Sequence, residues 1–250
     1  MPSVPSPPCT GKPSQEWFAT THWSVVLAAR QSEDSGAVEA LEKLCQTYWY
    51  PLYAYVRRHG HDVHDAEDLT QEFFARLLEK DFLKAVEPGR GKFRWFLLSA
   101  IKRFLANEWN RAHALKRGGG ARFVSWDQQD AESRYRRDGA SGLAPEKLFD
   151  QSWAMTLLEQ AHTQLREEFT SAGQSGLFEQ LKHFLSSDKS SVSYAEAARA
   201  LGMTEGAARV AVHRLRLRYR EFLRAQIAQT VTTLSEVDDE IRHLFAAFGG

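Results

Sequence analysis

Cysteine is scarce in this sequence of 250 residues, which contains only Cys9 and Cys45. Cys9 lies in a proline-rich segment and Cys45 lies in a helical pattern, so a structural disulfide between them is not expected. This usage is typical of a reducing compartment. No apolar run approaches the roughly 18 residues that a membrane-spanning helix needs. The first residues carry prolines instead of the apolar core of a secretion signal, so we expect a cytoplasmic protein with no membrane partner.

The sequence also lacks a net charge, because 32 basic side chains balance 32 acidic ones. Their distribution is uneven. Residues 90–122 contain nine Lys and Arg against one acid, and residues 199–224 contain seven Arg against two acids. Residues 62–80 contain six acids against two bases. This segregation indicates separate electrostatic surfaces, and the two basic segments are candidates for contact with nucleic acid.

The alternation of apolar and polar residues that marks a β-strand is not evident, whereas helical spacing is common from Trp17 onward. The sequence therefore predicts an all-α fold of two small helical domains. Five of the eight prolines lie in the first 13 residues, and residues 118–145 have few apolar side chains and several glycines. These compositions predict a disordered tail and a flexible linker. The expected order is the tail over 1–16, a helical domain over 17–117, the linker over 118–145, a second helical domain over 146–224 and an extension over 225–250.

Start and stop signals suggest the bounds of the individual helices. Pro51 is placed in the first turn of its helix, and His64 or Asp65 is expected to cap the helix after it. The predicted helices of the first domain cover 21–30, 37–48, 51–58, 66–79 and 93–116. Those of the second domain cover 146–170, 176–186, 193–201 and 205–224, and a last amphipathic stretch covers 235–248.

A helix-turn-helix pattern occupies residues 194–216. Gly202 is expected to end the first helix in a left-handed conformation, and Thr204 is expected to cap the second helix. The second helix has an apolar face and a basic face, as docking in the major groove of DNA requires. An ordinary helical hairpin with a solvated arginine-rich face is the alternative. The apolar face carries Ala208, Val212, Leu215 and Tyr219, and the exposed sides carry Arg209, Val210, His213, Arg214, Arg216 and Arg220.

The predicted helix over 93–116 has an apolar arc and an arc of cations and amides. Arginine and lysine neutralise phosphates, and asparagine can pair with adenine edges. Trp95 and Trp109 lie near the edge of the apolar arc, where an aromatic ring could stack on an unpaired base. A plain position in the core is the favoured interpretation of each tryptophan. The apolar arc carries Leu97, Ile101, Phe104, Leu105, Ala112 and Leu115, and the opposite arc carries Lys102, Arg103, Asn107, Asn110, Arg111 and Arg117.

Two motifs make the sequence resemble the extracytoplasmic-function (ECF) group of sigma-70-class sigma factors. Residues 65–77 read DAEDLTQEFFARL, which is similar to the pattern DAEDLxQExFxRL of the family's conserved region 2. The helix-turn-helix over 194–216 is similar to the family's region 4. The resemblance covers most of the chain from Trp23 to Arg224. It implies a transcription initiation factor that is not an enzyme and needs no cofactor, with core RNA polymerase and promoter DNA as its partners.

The resemblance also implies roles for individual residues. Region 2 is expected to bind the clamp coiled coil of the polymerase and the −10 promoter element, and region 4 is expected to bind the −35 element. The implied polymerase-binding residues are Asp65, Asp68, Gln71 and Glu72. The implied −10 contacts are Lys92, Arg94, Trp95, Lys102, Arg103, Asn107, Asn110 and Arg111. The implied −35 contacts are Thr204, Glu205, Arg209, Val210, His213, Arg214 and Arg216.

Residues 225–250 extend beyond the family's minimal two-domain pattern. Their acidic start and apolar stripe could pack on either domain or bind a regulator, and we hypothesise an autoregulatory or partner-binding role. The sequence leaves open whether an anti-sigma factor or another regulator holds the protein inactive.

Three other interpretations compete with this one. The polar cluster around His59, His61 and His64 could bind a metal ion together with Asp62 and Asp65, although its spacing matches no structural zinc site. Residues 89–92 could belong to a phosphate-binding enzyme, but they lack the spacing of a nucleotide loop. A helix-turn-helix regulator that is not a polymerase subunit would explain the second domain. It would not explain the acidic motif over 65–77.

Overall fold

The computed structural model describes residues 35–78, 93–114, 128–139, 142–185, 193–231 and 234–249. These residues form helices and no strand, so the all-α prediction is confirmed. The predicted tail, the predicted helix over 21–30 and the loop that contains Lys92 lie outside the described residues. The helices are α1 (Ser35–Arg58), α2 (Val63–Leu78), α3 (Phe93–Ala114), α4 (Gln128–Gly139), α5 (Pro145–Ser171), α6 (Ser175–Leu181), α7 (Tyr194–Ala200), α8 (Glu205–Ala228) and α9 (Val237–Ala246), with 3₁₀ turns at Lys182–Leu185 and Leu234–Glu236.

The chain divides into two compact units. Among the described residues, the larger unit comprises those within 35–156 and 227–249, and the smaller unit comprises those within 157–226. The boundaries therefore differ from the predicted ones, because they fall inside α5 and α8 instead of at the predicted linker. The predicted C-terminal extension lies largely in the larger unit, with α1 to α4. Across the described ranges, no helix combines the length and apolar character that crossing a membrane requires.

Helix α1 is continuous through Pro51, so the prediction of two separate helices over 37–48 and 51–58 is wrong. A proline inside a helix removes one backbone hydrogen bond and costs about 3 kcal/mol. Tyr48, Leu52 and Tyr55 recur at helical spacing around this position and are fully or almost fully buried. Burial of these large side chains offsets the cost of the proline, since each contributes about 1.5–3 kcal/mol. The sequence signal at Pro51 was local, whereas the packing that overrides it is tertiary.

Helix α2 begins at Val63, three residues before the predicted start. The Asp62 side chain accepts a hydrogen bond from the backbone N–H of Asp65 at 2.8 Å, so Asp62 caps the helix and the expected caps, His64 and Asp65, lie inside it. Phe73 is buried on the inner side, as predicted, and its ring meets that of Phe104 edge to face at 5.7 Å. This contact packs α2 against α3.

Helix α4 lies within the predicted flexible linker, so residues 128–139 differ from that expectation. Its partner is α1, and the contact is polar. The Tyr53 hydroxyl donates to Glu132 at 2.7 Å, and Arg57 donates to both oxygens of the same carboxylate, at 3.1 and 3.0 Å. The Tyr50 hydroxyl donates to Asp138 at 2.5 Å. Because α4 docks mainly through hydrogen bonds, its lack of apolar residues concealed it in the sequence.

The smaller unit packs the end of α5, α6, α7 and α8 around a core that includes Leu165, Phe178 and Val212. Ser193 and Glu196 form a reciprocal capping box at the start of α7. Gly202 has a φ of +64° after α7, as the left-handed prediction requires. The Thr204 hydroxyl accepts the backbone N–H of Ala207 at 3.2 Å, so the predicted cap of α8 is confirmed. These two residues define the turn between α7 and α8.

We predict that Gly202→Ala and Gly206→Ala have opposite effects on stability. Neither added Cβ would meet an atom within 4 Å, so steric clashes do not explain the difference. Gly202→Ala should destabilise the smaller unit by about 1–2 kcal/mol, because L-residues are strained at a positive φ. Gly206→Ala should stabilise the unit by about 0.5–1 kcal/mol, because Gly206 lies in the first turn of α8. Urea unfolding measures both, and equal effects of the two variants would contradict the role given to Gly202.

We also predict that Glu132→Gln releases α4 from α1 near neutral pH. Burial alone would raise the pKa of Glu132, but hydrogen bonds from Arg57 and Tyr53 outweigh it and hold the pKa below its ordinary value. The stabilisation is therefore present above the ordinary pKa of a glutamate and is lost as the pH falls through the lowered value. The variant should lose about 1–3 kcal/mol at pH 7 and much less at low pH. Hydrogen exchange of α4 at the two pH values measures this difference.

Candidate nucleic-acid and protein interfaces

The carboxylates of α2 divide between two sides of the helix. Asp65, Asp68 and Glu72 are exposed, and Gln71 is partly exposed beside them. Glu67 is buried on the inner side. Glu72 is bound to Arg76 one turn later, and Arg76 also contacts Glu108 of α3 at 2.9 Å. The acidic face that α2 presents to solvent is formed by the four residues predicted to bind a protein partner.

The basic face of α3 is only partly open. Lys102, Arg103 and Asn107 are exposed, as predicted. Lys102, however, contacts Glu146 of α5 at 2.8 Å, and this hydrogen bond lowers the pKa of Glu146. An acid from another helix therefore partly balances this arc. The side chains of Asn110 and Arg111 lie outside the described residues.

Both tryptophans of α3 point outward, so the favoured interpretation of each as a core residue is wrong. Trp95 is 48% exposed and Trp109 is 64% exposed. The inner side of the helix is already occupied by Leu97, Ile101 and Phe104, which are buried. An exposed indole ring can stack on an unpaired base, a contact worth about 1–3 kcal/mol. Exposure makes both rings accessible for such stacking.

Arg94 is a predicted DNA contact that is buried in this structure. Its side chain is only 2% exposed, beneath α9. Its Nη1 lies 2.5 Å from Asp150 Oδ1, and its Nη2 lies 3.3 Å from Glu240 Oε2. His243 Nε2 lies 2.9 Å from Nη1. A guanidinium that is surrounded in this way cannot reach a phosphate or a base in this structure.

Helix α8, the second helix of the predicted helix-turn-helix, has a buried apolar face and an exposed basic face, as expected. Ala208, Val212 and Leu215 are buried, and Tyr219 is partly buried with its hydroxyl donating to the Leu158 carbonyl at 3.1 Å. Burial raises the pKa of Tyr219 to about 12. The exposed positions include Thr204, Glu205, Arg209, Val210, His213, Arg214, Arg216 and Arg220, and the apolar Leu217 is also exposed.

Two of the exposed arginines are nevertheless engaged within the smaller unit. Arg209 donates to Glu205 at 2.6 and 3.2 Å, and its guanidinium lies 5.0 Å from the centre of the Tyr194 ring. Arg216 donates twice to the Phe184 carbonyl, at 3.0 and 2.8 Å. These contacts orient the two side chains before any ligand binds. The sequence shows the basic face but does not show which arginines are tethered.

Two members of the proposed metal cluster, His59 and Asp62, have other partners. His59 Nδ1 lies 2.9 Å from the Tyr55 carbonyl, and the two rings are 4.3 Å apart. Asp62 caps α2. Within the described ranges, no three His, Cys, Asp or Glu side chains converge as metal ligands would. The predicted phosphate loop over 89–92 lies outside those ranges.

Residues 44–114 match the family model of sigma-70 region 2. The chain contains a sigma-70 region 2 domain. The match covers the end of α1 together with α2 and α3, and therefore covers the acidic face and the basic helix. It leaves α4, α9 and the smaller unit outside. No curated protein and no solved structure matches the chain.

Sequence reasoning missed the partners that surround Arg94. Asp150 lies in α5, and Glu240 and His243 lie in α9, at sequence separations of 56, 146 and 149 residues from Arg94. The only local signal was the acidic start of the C-terminal extension. That signal carried no information about which basic residue it would meet.

We predict that Glu67→Gln stabilises the larger unit near neutral pH. Burial raises the pKa of Glu67 above its ordinary value. The favourable contribution of the protonated form is therefore complete below the ordinary pKa and is lost as the pH rises through the raised value. Urea unfolding should show a gain for the variant at pH 7 that shrinks at pH 4. Asp68→Asn, which removes an exposed charge from the same helix, should change the unfolding free energy by less than about 0.5 kcal/mol.

Proposed function

We propose that this protein is an RNA polymerase sigma factor of the ECF type, which binds core polymerase and directs it to promoters. The sigma-70 region 2 match over residues 44–114 carries the proposal. It coincides with the part of the larger unit that exposes an acidic helix face and a basic one. Sigma factors are not enzymes, and the proposed role requires no catalytic residue and no cofactor.

The acidic face of α2 is the proposed contact with polymerase. Asp65, Asp68, Gln71 and Glu72 would bind the clamp coiled coil. Exposed carboxylates form strong, charge-assisted hydrogen bonds with arginines, and they steer the approach of a basic partner. Glu72 can contribute by exchanging its bond to Arg76 for a bond to the partner. The exposure of these side chains supports this role.

The outer face of α3 is the proposed contact with the −10 element. Lys102, Arg103 and Asn107 can meet phosphates and base edges there. The exposed rings of Trp95 and Trp109 can stack on bases that have left the duplex. Lys92, Asn110 and Arg111 are proposed to extend this surface along the same part of the chain.

The start of α8 is the proposed contact with the −35 element. Thr204 and Glu205 begin the helix, and the exposed residues that follow can enter a major groove. Arginine suits guanine and phosphate, and a half-exposed apolar side chain such as Val210 suits a thymine methyl group. The remaining proposed contacts are Arg209, His213, Arg214 and Arg216.

A run-off transcription assay with bacterial core polymerase and a genomic promoter library tests the proposal. We expect transcripts that depend on the protein and that disappear with the triple variant Asp65→Ala, Asp68→Ala, Gln71→Ala. The loss should exceed tenfold if the three side chains together contribute more than about 1.4 kcal/mol to binding. Co-elution of the protein with core polymerase should be lost in parallel.

A matched control removes two carboxylates and one amide from the exposed surface of the smaller unit, in the variant Glu167→Ala, Glu179→Ala, Gln180→Ala. This variant should retain full transcription. Absence of any transcript, together with failure to co-elute with core polymerase, would overturn the proposal. The helix-turn-helix regulator that acts without polymerase would then remain, and it would be expected to bind duplex DNA as a symmetric dimer.

A further inference from the structure

The C-terminal helix α9 is joined to the beginning of α3 by a buried group of charges. Arg94, the second residue of α3, is 2% exposed, and Glu240 of α9 is 1% exposed. Asp150 of α5 and His243 of α9 complete the group around the guanidinium. The backbone N–H of Phe93 also donates to the Thr230 carbonyl at 3.3 Å. The segment between α8 and α9 therefore satisfies one of the unpaired N–H groups at the start of α3.

The two contacts that α9 makes with this end of α3 have the chemistry of a nucleotide. Glu240 places a negative oxygen 3.3 Å from the guanidinium of Arg94, where a phosphate oxygen would bind. His243 meets Trp95 edge to face, with ring centres 6.1 Å apart and planes at 61°, and so occupies space beside the indole that a base could enter. The first turn of α9 is rich in carboxylates, since it also contains Asp238 and Asp239. This anionic turn begins a helix that covers one end of the most basic segment of the chain.

Groups outside α9 also hold the guanidinium of Arg94 in place. Asp150 holds Nη1 at 2.5 Å, and the guanidinium lies 4.9 Å from the centre of the buried Trp153 ring and 4.8 Å from that of Trp95. Asp150 and Trp153 belong to α5, so they remain beside Arg94 if α9 leaves. The arginine would then keep one carboxylate and gain an open side next to an exposed indole ring.

We propose that α9 occupies the place of single-stranded DNA at the Arg94–Trp95 end of α3, and that it must leave before this end of the helix binds the promoter. The inference rests on the proposed function, because it assigns α3 to DNA. It makes α9 an autoinhibitory segment of the same chain. It also explains how a basic residue of the DNA-binding helix can be buried: its anion is supplied from within the protein.

Two full-length variants test the competition. Glu240→Gln keeps the shape of the side chain and removes its charge, and His243→Ala removes the ring beside Trp95. Each should lower the dissociation constant for a short fluorescein-labelled single-stranded DNA, measured by anisotropy, by about tenfold, which corresponds to 1.4 kcal/mol. Asp239→Asn is the matched control, because it removes a charge from the same turn of α9, where Asp239 pairs with Arg242 of the same helix. The control should bind like the unchanged chain.

A second measurement follows α9 directly. Hydrogen exchange of residues 237–246 in the unchanged chain should become faster when the single-stranded DNA is added. If Glu240→Gln does not fold, His243→Ala still decides the question, because His243 is partly exposed. Equal DNA binding by the unchanged chain and both variants, with unchanged exchange in α9, would overturn the inference and leave the sigma-factor proposal intact. Absence of both DNA binding and transcription in every chain would overturn the two together.

Discussion

The buried charge of Arg94 is the constraint on which the arrangement of the larger unit depends. Removing a guanidinium from water costs several kcal/mol unless its partners are well placed. Here the partners come from two other helices, because Asp150 belongs to α5 and Glu240 to α9. Three helices distant in sequence must therefore meet at one point. The loss of either carboxylate would leave the guanidinium with a single acidic partner, so this meeting point determines where α3 begins and how it is oriented.

The orientation of α3 decides which of its charges can be used. Near its start, acids from other helices neutralise the cations, since Glu240 contacts Arg94 and Glu146 contacts Lys102. Farther along, Arg103 and Trp109 are exposed. The basic excess seen in the sequence is therefore not uniformly available to a ligand. Its accessible part begins about three turns after the helix does.

The smaller unit shows the same principle on a solvent-exposed helix. Arg209 is tethered to Glu205 and Arg216 to the Phe184 carbonyl, whereas the rest of α8 buries Ala208 and its apolar neighbours. Exposed ion pairs of this kind contribute about 0–1 kcal/mol. They can be exchanged for contacts with phosphate or base at little cost. Meanwhile they restrict the motion of the two side chains, which reduces the entropy lost on binding.

The sequence by itself determined the helical class, most helix bounds, the left-handed turn at Gly202 and the division of α8 into an apolar and a basic face. These features follow from short-range patterns, since helical spacing, caps and glycine conformations depend on residues within one or two turns. The resemblance at residues 65–77 likewise pointed to the domain that the region 2 match then identified. Local chemistry was sufficient for each of these conclusions.

Only the tertiary structure decided that α1 continues through Pro51 and that α4 docks on α1. It also decided that both tryptophans of α3 are exposed and that Arg94 is buried. Each depends on groups far away in sequence. Glu132 reaches Tyr53 across 79 residues, and Glu240 reaches Arg94 across 146. A carboxylate looks the same in a sequence whether it faces water or a buried guanidinium. The difference in free energy between an exposed carboxylate and one paired with a buried guanidinium comes from desolvation and from the geometry of the partner. Neither is defined until the helices have packed.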